Sequence, residues 1–110
     1  VYFGRDFSPL ETPESRVVGL DFVNDINKGD TLLSSTWDVL VVAGVDPSPM
    51  VLQGPSVEVI PRDSDLKTVT IQRVGGCLPG VRYRLRAQVT TSLGNTVSGW
   101  SHIQGIGSNT

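Results

Sequence analysis

From residue 16 onward apolar side chains tend to recur at every second position. In "VGLDF", Val18, Leu20 and Phe22 fall on one side, as in a strand with one buried face. "NDINKGD" is turn chemistry, and "TLLSSTWDVLVV" resumes the alternation with Leu33, Ser35, Trp37, Val39 and Val41 on one face. Leu40 and Val42 add apolar weight to the other face, so this strand is expected to be covered on both sides near its end. "AGVDPSPM" reads as a loop from its glycine and two prolines, "SVEVI" as a short strand and "PRDSD" as a turn. "LKTVTIQRV" is rich in β-branched residues, with Val69 and Ile71 facing the same way. "GGCLPG" turns the chain into a strand over 81–90, and "SLGN" turns it again into "TVSGWSHI". No segment shows a 3.6-residue period. Short strands with turns between them predict an all-β antiparallel sandwich of about seven strands. It is expected to span 16–105, with 106–110 as a short flexible tail.

Residues 1–15, "VYFGRDFSPLETPES", break this pattern. Pro9 and Pro13 each remove a backbone donor and push the preceding residue toward extended geometry. Yet Tyr2, Phe3 and Phe7 are three of the chain's seven aromatic residues, and disordered tails are typically aromatic-poor. The segment is expected to be an extended N-terminal arm that docks through these rings. The plain alternative is packing on its own domain; the sharper expectation is that it reaches across to a neighbour. Fully extended, such an arm spans at most about 50 Å.

Composition narrows the function. A chain of 110 residues is one domain of ordinary size and can bury a core without staples. Its net charge of −2 and pI near 5.1 supply no positive field for nucleic acid. One cysteine, Cys77, excludes an internal disulfide. No stretch approaches the ~20 apolar residues of a membrane helix, and no charged start precedes a hydrophobic segment. The chain is expected to be made and folded in a cytoplasm, with no membrane partner.

Catalytic chemistry is thinly supplied. His102 is the only histidine, and any Ser-His-Asp or Cys-His arrangement must use it. Ser98 and Ser101 lie near it in sequence only as polar strand residues. Cys77 sits in a glycine-rich turn with no basic neighbour before Arg82, which suits a partly buried thiol better than a thiolate nucleophile. Asp25, Asn27 and Asp30 are oxygen donors of the kind calcium accepts, but the glycine offset is wrong for an EF-hand and no glutamate closes the loop. No phosphate-binding glycine loop is present. The chain is therefore expected to be no enzyme and to hold no metal or cofactor.

Arg82, Arg84 and Arg86 alternate with core positions and so share the outer face of their strand. Such a face can be merely solvated and protected against edge-to-edge aggregation. Three like charges at ~7 Å spacing repel, however, and an acidic group, within the domain or on a neighbouring subunit, relieves that cost. Trp100 in "SGWSHI" is either core or an interface anchor, because Gly99 interrupts the alternation that would assign its side. Candidate protein-interface residues are Tyr2, Phe3, Phe7, Arg82, Arg84, Arg86 and Trp100.

"PGVRYRLRAQV" resembles the tyrosine corner of fibronectin type III and related immunoglobulin-like domains. The resemblance implies that the Tyr83 hydroxyl bonds back to the preceding turn while its ring enters the core with Leu85, Ala87 and Val89. Trp37 then matches the core tryptophan of an early strand, and Cys77 stands where a leucine is usual. More narrowly, "GDTLLSSTWDV" and "GVRYRLRAQVTTSLGNTVSGWS" resemble a family of small immunoglobulin-like structural proteins of tailed bacteriophages, some of which join fibre to tail. That family carries "GDxIxSSTWxV" and "GxxYxVxxxVTTSxG". Its aspartate- and aromatic-rich stretch is only loosely echoed by "LDFVNDI". The implied function is a non-enzymatic virion protein, an adaptor docking on other virion proteins at the tail or its fibres in a symmetric multi-copy assembly. A capsid decoration protein uses the same parts. A ligand- or carbohydrate-binding sandwich is the alternative from another class, though the loops 43–49 and 61–65 offer it no aromatic residue.

Overall fold

The computed structural model describes residues 2–3, 6–61 and 65–107. Residues 1, 4 and 5 of the arm, 62–64 of the expected turn and 108–110 of the expected tail lie outside the described residues. There is no helix among the described residues. Seven strands run in order: β1 (Leu10–Glu11), β2 (Ser15–Asp21), β3 (Leu32–Ala43), β4 (Leu52–Val59), β5 (Val69–Gly75), β6 (Arg82–Thr91) and β7 (Thr96–Ile106). They form two sheets, β1-β7-β6-β3 and β2-β5-β4, in a sandwich-like fold around one core.

The period-two reading holds best where one face is apolar throughout. On β6, Tyr83, Leu85, Ala87 and Val89 are all fully buried, opposite Ile103, Ser101, Gly99 and Val97 of β7. On the other sheet Val18 and Leu20 of β2 point inward, followed by Phe22. Burying such a side chain contributes roughly 1.5–3 kcal/mol. The phenol of Tyr83 accepts a hydrogen bond from the Leu78 amide at 3.0 Å, back to the turn as expected. It also donates to Asp46 Oδ2 at 2.7 Å, a partner from the β3–β4 loop. Desolvation, reinforced by the Asp46 carboxylate, pushes this phenol up to about 12.

Three expectations need correction. A register shift between Leu32 and Ser34 rotates the start of β3, so Leu32 is 2% exposed and Leu33 is 61% exposed. β3 is also not covered on both sides near its end: Leu40, registered with Arg84 on the outer face, and Val42, at a second register shift, are exposed. Finally, the sheets are not wholly antiparallel: β1, within the arm, pairs parallel with β7, Leu10 opposite Gly105 and Glu11 opposite Ile106.

β5 is inverted in polarity. Val69 and Ile71 do face the same way, but that way is outward, while Thr70 and Gln72 are buried. Burying polar side chains costs little when they are bonded. Thr70 Oγ1 accepts from Trp37 Nε1 at 3.0 Å and lies 2.8 Å from Ser35 Oγ. Gln72 Nε2 donates to the carbonyl of Gly54 at 2.9 Å, inside the irregular stretch of β4 between Gln53 and Val57. Trp37 is thus a core residue whose one polar atom is satisfied across the sandwich.

Candidate protein-docking face

Residues paired across antiparallel strands share a face of the sheet. Arg84 is registered with His102 of β7 and Leu40 of β3; Arg86 is registered with Trp100 and Asp38. Trp100 therefore stands on the outer face with the three arginines, and Gly99 takes the inward position beside it.

The arm completes this face by pairing with β7 of its own domain. The edge of β7 offers unpaired main-chain groups, and the arm takes them. Phe3 N–H donates to the Trp100 carbonyl at 3.0 Å and Phe7 N–H to the His102 carbonyl at 2.9 Å, before β1 continues the pairing. The aromatic rings then diverge. Tyr2 lies over Trp100, with centroids 4.7 Å apart, and 5.9 Å from His102. Phe3 turns inward, edge-on to Phe22 at 5.0 Å. Phe7 is half-buried against the same core. The arm also crosses toward β2, where Arg16 donates to the Ser8 carbonyl.

Charge on the face is mostly cancelled from within. Arg82 pairs with Asp6 of the arm at 2.8 Å, and the Tyr2 hydroxyl donates to the other oxygen of Asp6 at 2.7 Å. His102 Nδ1 lies 3.7 Å from that same oxygen. The Tyr2 hydrogen bond, with help from Arg82, holds the Asp6 carboxyl below its ordinary range despite partial desolvation. The same bond raises the Tyr2 phenol. Nε and Nη2 of Arg86 both donate to Asp38 Oδ2, at 2.9 and 2.7 Å. Arg84, between these two pairs, has no ion pair among the described residues, and its Nε is buried without a hydrogen-bond partner. The repulsion expected of three arginines is relieved at two of them by acids of the same chain. The unbalanced charge is concentrated at the third.

Of the seven sequence-derived interface residues, Tyr2, Arg82, Arg84, Arg86 and Trp100 share this face, whereas Phe3 and Phe7 turn to the core side of the arm. Asp6, Asp38 and His102 belong to the face and were not singled out as interface residues. The signal for Asp38 was the antiparallel pairing of the strands that hold Trp37 and Ala87; Asp6 gave none beyond lying in an aromatic arm. The other candidates lie elsewhere. Cys77 is buried, and desolvation raises its thiol, which disfavours the thiolate. Asp30 is buried while Asp25 and Asn27 are exposed, so the three oxygen donors do not converge. Its Oδ1 accepts from the Thr31 amide at 2.8 Å and from the Ser92 hydroxyl, tying the β2–β3 turn to the β6–β7 hairpin. Desolvation would raise its carboxyl, but these and neighbouring hydrogen bonds outweigh it and lower the pKa.

The combination of tyrosine, tryptophan and arginine on one flat face is the composition that dominates binding energy at protein interfaces. Compared with protein-family models, with curated proteins and with solved structures, the chain matches none.

Proposed function

We propose that the protein is a non-enzymatic structural component of a tailed-phage virion, an adaptor that docks on neighbouring virion proteins at the tail or its fibres. The observation that carries the docking reading is Arg84, a guanidinium with no ion pair among the described residues, set between the Tyr2–Trp100–His102 cluster and Leu40. A carboxylate of a partner protein supplies the acid that the chain itself provides to Arg82 and Arg86, while Trp100 and Tyr2 supply apolar contact area. The likeness of the β3 and β6–β7 segments to the phage family supports the virion setting. We further read the fold as immunoglobulin-like, with β2-β5-β4 as its B-E-D strands, β7-β6-β3 as its G-F-C strands and Tyr83 at its corner.

The test is to locate the protein on particles. Gold-labelled antibody against the purified chain should decorate the tail or fibre junction of particles produced by cells that carry the gene. Label confined to the head would replace the adaptor with a decoration protein, and unlabelled particles would refute the virion reading. Arg84→Glu should keep the fold and lose incorporation. Normal incorporation of this variant would remove the arginine face from the account.

A further inference from the structure

The inversion of β5 leaves the outer face of β2-β5-β4 apolar. Gly19, Ile71 and Val57 form one row across the three strands by register. Val69 and Val59 stand in the row to one side, and Val17 with the exposed Gln53 in the row to the other. Val17 is 44% and Val57 51% exposed. A sheet that buries threonine and glutamine while presenting valine and isoleucine to the outside has an apolar face in search of cover.

We propose that this face binds the same face of a second copy of the chain. Among the described residues its charged side chains are Arg73, in the Val17 row, and Asp21, in the Val69 row. Neither has an ion pair among the described residues: Arg73 reaches only the Ser15 hydroxyl, and Asp21 accepts only the Val23 amide. These opposite charges lie at the two ends of the apolar patch, about 14 Å apart along the strands. A two-fold axis along the Gly19–Ile71–Val57 row reverses one face onto the other. It sets each Arg73 over the other copy's Asp21 row, offset sideways from Asp21 by about one strand spacing (~4.8 Å), with the long arginine side chain spanning the gap of about 10 Å between stacked sheets. The contact is isologous, with each ion pair formed twice. A uniformly acidic or basic partner instead meets one like charge. Gly19, in the middle row, has no side chain to hold a second sheet away.

Three short strands offer less than the ~800 Å² per partner of a stable complex. The dimer is therefore weak and concentration-dependent. It uses the side of the sandwich away from Arg84, and the two faces can be occupied at once.

Sedimentation equilibrium of the full chain over micromolar to millimolar concentration tests this. The wild type should shift from monomer to dimer, and Ile71→Asp, on the outer face, should weaken association at least tenfold with the melting temperature retained. Asp21→Arg and Arg73→Asp should each weaken it alone, and an equimolar mixture of the two variants should dimerise again, because each then meets its opposite. A chain that stays monomeric at the highest concentration, or a dimer indifferent to Ile71→Asp, overturns the proposal. So does a mixture that fails to recover. Arg84→Glu should leave the dimer unchanged.

Discussion

The ring of Phe3 occupies the space that a side chain at position 99 would need: a Cβ on Gly99 would stand 2.2 Å from Phe3 Cε1. The glycine that interrupts the alternation of β7 is thus the socket of the arm. Gly99→Val should expel the ring and free Tyr2 and Phe3 from the edge of β7 while the sandwich persists. The cost should be about 1–3 kcal/mol, in the range of overpacked sites. Limited proteolysis and a melting curve check this; an arm as protected as in the wild type would count against the socket.

Tyr83→Phe removes both the acceptor for Leu78 and the donor to Asp46. A loss of about 1–3 kcal/mol is expected, because Asp46 Oδ2 and the Leu78 amide lose their partner together, while Asp46 Oδ1 keeps the Ser48 amide. Asp46→Ala should cost less, and the double variant should fall short of the sum, since the two residues share one bond. Denaturant titration of the three variants measures it.

Arm docking should depend on pH at both extremes. Asp6 is depressed when folded, so its contribution is present above the ordinary carboxylate value of about 4 and disappears as pH falls through the lowered one. Tyr2 is raised, so its contribution is complete below about 10 and disappears as pH rises through the raised value. Fluorescence of Trp100, on which Tyr2 rests, should report both limbs against the buried Trp37 background. Asp6→Asn should abolish the acid limb.

Arg86→Ala should change stability by no more than about 1 kcal/mol, because its pair with Asp38 is about two-fifths exposed on each side and screened by water. Arg84→Ala should be neutral or mildly stabilising, since it removes a charge with no counterpart, and a buried nitrogen with no acceptor, among the described residues. The reverse order of effects would place the structural weight on Arg84 instead.

The sequence made β2 and β6 readable because each buries one apolar set, Val18 and Leu20 on β2 or Tyr83 through Val89 on β6, with no local irregularity. The start of β3 was misread at a single shift of register, since a one-residue slip exchanges the faces of Leu32 and Leu33. β5 had a legible period and an illegible sign. Its inward threonine and glutamine are tolerated only because Trp37, Ser35 and Gly54, distant in sequence, supply partners. The arm's aromatic content announced that it docks. Its site was written in Gly99, whose meaning depends on a ring nearly a hundred residues away. Of the docking face, the arginine row was visible from alternation, whereas the cancellation of Arg82 and Arg86 was not, because it needs Asp6 and Asp38 in three dimensions.

Thr12, just after β1, donates its hydroxyl to the carbonyl of Cys77 at 2.8 Å, and the Cys77 side chain is fully buried in the core. The chain has one thiol, so alkylation reports a single place. With a reagent in excess, its rate counts how often the core around the 75–81 turn opens. The molecule carries its own clock for that event.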